Sequence, residues 1–268
     1  MASPRMTTKQ PAPALTSALR IAGLRVSYGP VVAVDGVDLE VREGEIFGLL
    51  GPNGAGKTSV LSAIEGLQRP AAGDIVIGDI DARARPLQAK AQLGVQLQAT
   101  SFQSNLRLVE LVRLFAGLYG VALSPAQIHD RLEEINLQDE APKRFRELSG
   151  GQQQRFSLLI ATIHDPALVL LDEPTAGLDP QARRQLWDRI ERFRKEGRSI
   201  LLTTHSMEEA QAICDRVAIM DHGKILTVGT PADLIAAHRD DPQVRQAAHG
   251  DVTLEDVFIA LTGRELRD

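Results

Sequence analysis

Apolar residues in this chain fall into short blocks of two kinds, separated by glycine, proline and Asp-Gly punctuation. From Leu19 to Tyr28 and from Val31 to Val41, Val, Ile and Leu alternate with polar residues, which predicts two half-buried strands. Ile46–Leu50 and Ala167–Leu171 are continuous apolar runs, the pattern of parallel strands covered on both faces. Gly73–Gly78 and Gly94–Gln98 are further strands, Arg198–Thr203 is the next buried strand, and Arg216–Met220 with Lys224–Val228 predict a last strand pair around a His222-Gly223 turn. Between Thr100 and about Ile163 the period changes. Leu111, Val112, Phe115, Leu118 and Tyr119 recur at helical spacing, and Ser124-Pro125-Ala126-Gln127 sets a capping residue, a first-turn proline and a Gln in capping-box order. That region holds no strand candidate and reads as an inserted helical lobe. Helices are also predicted over Pro86–Ala91, from Leu148 to about Ile163, over Pro180–Lys195, after the Ser206–Glu209 capping box and the Thr230–Asp233 cap, and over Leu254–Leu261. The polar stretch Arg239–Gly250 reads as a connector, and no internal repeat is present.

One stretch organises these elements. Gly51-Pro52-Asn53-Gly54-Ala55-Gly56-Lys57-Thr58 follows the Ile46–Leu50 strand and runs into the helix that opens at Ser59. Strand, glycine-rich turn and helix start carrying G-x-x-x-x-G-K-T make the phosphate-binding loop. Glycines let the backbone wrap close to phosphates, and the helix N-terminus adds partial positive charge. Lys57 reaches the β and γ phosphates, and the Thr58 hydroxyl is placed to ligate Mg²⁺. The ligand implied is a nucleoside triphosphate.

Two acids follow the apolar run at its carboxyl end, where α/β sheets bind ligands. Asp172 is placed to hold Mg²⁺ and Glu173 to take a proton from an attacking water. His205, after the next buried strand, falls at the same sheet edge within reach of a γ phosphate. Tyr28 offers a flat aromatic face on which a base can stack. Read locally, Ser149 and Gln152 are a capping box.

Composition narrows the setting. A net charge of −5 without long blocks of one sign argues against a broad nucleic-acid-binding face. The single cysteine, Cys214, excludes an internal disulfide and reads as a small buried hydrophobe in a reducing compartment. No stretch approaches the roughly 20 consecutive apolar residues of a membrane span. Residues 1–18 read as a disordered lead-in rather than a signal peptide. The expectation is a cytoplasmic protein that meets a membrane only through a partner.

From about Leu19 to His222 the chain resembles the ATP-binding cassette (ABC) ATPases. Tyr28 matches the adenine-stacking aromatic, Gln98 the Q-loop glutamine, and LSGGQ stands unaltered at Leu148–Gln152; LLDEPTAGLDP follows, with Asp179 in the D-loop and His205 in the switch loop. The resemblance implies an α/β P-loop NTPase: a RecA-like core sheet, an antiparallel β subdomain and an inserted α-helical subdomain (about 100–163) within a cassette at 19–230, followed by a helical extension at 231–268. It implies ATP and Mg²⁺ as ligands, the ion held by Thr58, Gln98 and Asp172, and catalysis by Glu173, His205, Gln98 and Lys57. Ser149, Gly150, Gly151 and Gln152 would face the ATP of a second subunit, with two identical cassettes closing head to tail. Leu93–Gln98 and the tail Leu254–Leu266 are similar to the ATPase subunits of bacterial ABC-2-type and daunorubicin-resistance-type exporters. That implies a separate permease, a place on the cytoplasmic face of the membrane, and export of drugs or other small or lipophilic molecules. A nutrient importer subunit, or a non-transport ABC ATPase acting on nucleic acid or ribosomes, are the alternatives. The single cassette with an ordinary helical lobe disfavours the latter, and no nucleic-acid partner is expected.

Overall fold

The alternating stretches near the start pair as a hairpin. In the computed structural model, which describes residues 16–96, 102–103, 105–248 and 250–263, β1 (Ser17–Tyr28) and β2 (Val31–Arg42) run antiparallel, with Tyr28 opposite Val31. β1 begins two residues before the alternation is legible, because Ala18 is already buried. Expectations for the lead-in before Thr16, for Gln98 and for the tail after Gly263 lie outside the described residues.

β3 (Ile46–Leu50) leads through the glycine-rich loop into α1 (Lys57–Ile64). β4 (Ala72–Ile77) and the short β5 (Ile80–Asp81) then return to the hairpin, giving an antiparallel sheet of order β2-β1-β4-β5. After α2 (Pro86–Ala91), β6 (Leu93–Gln96) opens a second sheet; among the described residues, α3 (Leu108–Leu118), α4 (Pro125–Glu133), a 3₁₀ turn at Phe145–Glu147 and α5 (Gly150–Ala161) then follow without a strand. The chain continues through β7 (Leu168–Asp172), α6 (Pro180–Lys195), β8 (Ser199–Thr204), α7 (Met207–Ile213), β9 (Arg216–Asp221) and β10 (Lys224–Gly229). The second sheet has the order β10-β9-β3-β8-β7-β6 and is parallel except for β10.

Every residue of β3, β7 and β8 is buried, which is why Ile46–Leu50 and the stretch through Leu171 read as unbroken apolar runs. Successive side chains enter opposite cores. Phe47, Leu49, Leu170, Leu201 and Ala218 pack with α1 and the antiparallel sheet, whereas Ile46, Leu50, Val169, Leu202 and Val217 pack with α6 and α7. A third core belongs to the helical lobe, where Phe102 meets Phe115, Phe145 and Phe156 edge-to-face at 4.7–5.5 Å between centroids. The buried Arg189 of α6 ties this lobe to the sheet by donating to Glu134 at 3.1 Å.

The chain ends in α8 (Pro231–His238), α9 (Pro242–Ala247) and α10 (Leu254–Thr262), and Leu234, Val244, Leu254, Val257 and Phe258 join the core shared with α6 and α7. The stretch read as a polar connector thus contains a helix. Asp241 caps it by accepting from the Gln243 N–H at 2.8 Å, Pro242 starts it, and one buried residue, Val244, fastens it. Cys214 is buried against Gly48 as a structural side chain, with burial pushing its thiol pKa well up. Among the described residues no helix is long and apolar enough to cross a membrane.

Candidate active site

The glycine-rich loop hangs from the carboxyl end of β3 and is pressed by backbone from two sides. A Cβ on Gly51 would lie 2.4 Å from the Met220 carbonyl oxygen, and one on Gly56 would lie 2.4 Å from that of Ala33. Gly56 also holds φ at +107°, so glycine is required there on both counts. The β9–β10 turn braces the loop as well: the Gly223 N–H donates to the Ala55 carbonyl at 2.9 Å, and the Asp35 N–H donates to the Gly223 carbonyl at 2.9 Å. The end of β1 that carries Tyr28, itself half exposed, therefore belongs to the same hairpin that touches the loop.

α1 starts at Lys57 with Gly56 as its cap, so no side chain covers the first N–H groups of the helix. Thr58 is exposed and Ser59 half buried at that terminus. Lys57 is only 5% exposed; its ammonium donates to the Gly51 carbonyl at 2.7 Å and to that of Pro52 at 3.2 Å. Burial lowers the Lys57 pKa, while the nearby charges of Glu173 and Asp172 oppose that shift.

Asp172 ends β7, is buried, and accepts a hydrogen bond from Thr203 Oγ1 of β8. Glu173 follows at φ +47°, an uncommon conformation for a residue with a side chain. Two hydrogen bonds hold it there, its N–H donating to both the carbonyl and the hydroxyl of Thr203 at 3.1 Å each. Glu173 Oε1 lies 3.9 Å from Lys57 Nζ and 3.4 Å from His205 Nδ1. The fold thus brings Lys57, Asp172, Glu173 and His205 together from the ends of β7 and β8 and the start of α1. Thr203 was not singled out in the sequence. The available signal was two hydroxyl residues, Thr203 and Thr204, closing an otherwise aliphatic buried strand.

The LSGGQ segment occupies a different place. Ser149 caps α5 by accepting from the Gln152 N–H at 3.3 Å, and Gln152 returns a bond to the Ser149 N–H at 2.9 Å, the capping box expected locally. Asp179 likewise caps α6, accepting from the Ala182 N–H at 2.8 Å. The two helix starts share an open cleft of about 370 Å³, bordered by Ser149, Gly150, Gly151, Gln152, Leu178 and Asp179. No residue of the Gly51–Thr58 loop borders it among the described residues.

Residues 34–176, just over half of the chain, match the ABC transporter family. The chain belongs to that family. A Nod factor export ATP-binding protein I from Cupriavidus pinatubonensis is 36% identical, with 96% of this chain and 94% of that protein covered. A protein of the same name from Rhizobium sp. (strain N33) is 34% identical, covering 93% and 98%. Among solved structures, an ATP-binding subunit of an ABC transporter superposes with a TM-score of 0.77 at 28% identity, covering 91% of this chain and 99% of that one. A dimeric post-hydrolysis ATP-binding cassette bound to ADP and Pi shares the fold, with a TM-score of 0.72 at 24% identity over 79% and 98%. This ABC subunit is an ATP-binding ATPase, with the α/β cassette architecture that its motifs implied.

Proposed function

We propose that this ABC subunit hydrolyses ATP within a head-to-tail homodimer and drives export through a separate permease at the cytoplasmic face of the membrane. The observation that carries the hydrolytic site is the meeting of Glu173 Oε1 with Lys57 Nζ at 3.9 Å and His205 Nδ1 at 3.4 Å. A carboxylate at that point faces the phosphate loop and accepts the proton of a water attacking the γ phosphorus. As the new P–O bond forms, the bond to the β-phosphate oxygen breaks and ADP leaves. Lys57 and the α1 N-terminus stabilise the charge that develops on the phosphates, and His205 contacts the γ phosphate. Tyr28 holds the base. Thr58 and Asp172 offer oxygen donors suited to Mg²⁺, which when bound would neutralise phosphate charge, and the family resemblance adds Gln98 to that set.

The dimer reading is supported by the separation of the two clefts. Ser149, Gly150, Gly151, Gln152 and Asp179 surround open space away from their own phosphate loop, and exposed helix N-termini favour a phosphate brought by another subunit. Export is supported by the export named in the relatives, whereas a drug-like, small or lipophilic cargo rests on the resemblance carried by Leu93–Gln98 and the tail from Leu254. The test uses a tagged Glu173→Gln variant, trapped with ATP and extracted in mild detergent. The expected result is slow turnover, retained ATP binding and recovery of a polytopic membrane protein. Wild-type turnover would remove Glu173 as the base, whereas ribosomes or DNA-associated proteins without a permease would overturn the transport reading.

A further inference from the structure

Glu209 is the third residue of α7 and is 1% exposed, although it is a carboxylate. A buried carboxylate is costly unless donors meet it. Groups from three different segments face it: Trp187 Nε1 donates to its Oε1 at 3.1 Å, and the hydroxyls of Thr204 and Thr175 favour its charged form. Each segment leads to a residue of the proposed site. Thr204 immediately precedes His205, and its hydroxyl also accepts from the Ser206 N–H at 2.9 Å, so the histidine is flanked by a fixed turn. Thr175 stands two residues after Glu173, in a turn where the Ala176 N–H donates back to the Glu173 carbonyl at 3.1 Å. Trp187 lies on α6, whose cap is Asp179. Burial pushes the Glu209 carboxyl pKa up, and the neighbouring Thr204, Thr175 and Trp187 side chains hold it back.

We infer that Glu209 is a positioning residue for ATP hydrolysis: its buried carboxylate ties the His205 turn, the turn after Glu173 and α6 into one unit, so that base and histidine keep a common geometry. The inference rests on the roles given above to Glu173 and His205. A carboxylate offers acceptor oxygens on both sides, whereas a glutamine of the same shape offers one acceptor oxygen and turns an NH₂ group towards the rest. Trp187 is the sole tryptophan of the chain, so its emission reports on this junction.

The test compares purified full-length wild type with Glu209→Gln, Thr175→Val and Glu173→Gln. Ile190→Val, a buried change in α6, controls for lost stability alone. Readouts are kcat and KM for MgATP, the unfolding temperature, and Trp187 emission on adding ATP. For Glu209→Gln, kcat should fall about 10–100-fold, the scale of a small misplacement of reacting groups. KM should stay within about twofold, because the phosphate loop is untouched. The ATP-dependent change in Trp187 emission should be lost, and Ile190→Val should keep its turnover. Wild-type kcat and emission in Glu209→Gln would overturn the inference. If that variant does not fold, Thr175→Val decides, and wild-type turnover in it overturns the inference equally. If Glu173→Gln is slow while the Glu209 and Thr175 variants are not, only the positioning inference fails. Wild-type turnover in Glu173→Gln removes the base assignment on which it stands.

Discussion

Thr203 joins the two acids of the site through one hydroxyl, and removing that hydroxyl separates stability from catalysis. In the folded protein Thr203 is fully buried; its Oγ1 donates to Asp172 and accepts from the Glu173 N–H at 3.1 Å. Thr203→Val keeps the shape and deletes the hydrogen bonds. A hydrogen bond to a charged group contributes about 1.5–3 kcal/mol, and exchanging hydroxyl for methyl returns about 0.8 kcal/mol of apolar burial. The Glu173 N–H retains its bond to the Thr203 carbonyl, so the net loss is about 1–2 kcal/mol. At about 2–4 °C per kcal/mol for chains near this size, the unfolding midpoint should drop by about 2–8 °C. Turnover should drop further, by about 10–100-fold, because the carboxylate of Asp172 loses the partner that aims it. Thr203→Ser supplies the contrast. It loses a buried methyl, at a cost of about 1 kcal/mol, but keeps the hydroxyl. Thermal unfolding and steady-state MgATP hydrolysis on the three proteins should show both variants destabilised and only valine impaired in turnover. Equal turnover in serine and valine variants would refute the role given to the hydroxyl.

Lys57→Ala should abolish ATP binding in a fluorescent-nucleotide titration, since the phosphates lose the only ammonium in their loop; undiminished affinity would contradict that assignment. Ser149→Arg should block ATP-driven dimerisation in size-exclusion chromatography while sparing nucleotide binding by the monomer, and should lower stability by about 1 kcal/mol through the lost cap. An intact ATP-dependent dimer would argue against a role in trans. Glu65 is buried, and its carboxyl pKa is raised, first by burial and then by the charge of Asp172, with Lys90 opposing. The fold therefore favours its protonated form, so the cost is present in full above the folded pKa. It disappears as pH falls to the unfolded value of about 4.3. Glu65→Gln should accordingly raise the unfolding midpoint most at pH 8, with the gain shrinking on acidification; a gain that grew towards low pH would reverse the sign assigned here.

Much of this protein was legible in one dimension because its determinants are local. The phosphate loop needs its glycines, lysine and threonine in consecutive order, and the caps at Ser124, Ser149, Ser206 and Thr230 act within four residues. The apolar runs of β3 and β7 announced burial on both faces, and every residue of both strands is buried. The α9 helix escaped that reading, since a single buried valine in a polar stretch carries no period. LSGGQ carried two readings at once, a capping box visible in its own spacing and seen in the fold, and a phosphate site that only family resemblance implies.

What tertiary structure decided is which distant groups share space. Thr203 meets Asp172 because β7 and β8 are parallel neighbours in that register, and the strand order of a sheet is not written in either strand. Glu209 reads as the capping-box partner of Ser206, but the fold corrects this: Ser206 accepts from the Glu209 N–H, the Ser206 N–H goes to Thr204 Oγ1, and the Glu209 carboxylate is buried beside Trp187. Gly56 reads as one glycine of a motif, but only the packing of β2 puts the Ala33 carbonyl where any side chain would collide. Backbone propensity, capping and periodicity act over a few residues and can be read from their order. Packing partners and the desolvation of charge depend on contacts between residues far apart in the chain, and those exist only once the sheet has formed.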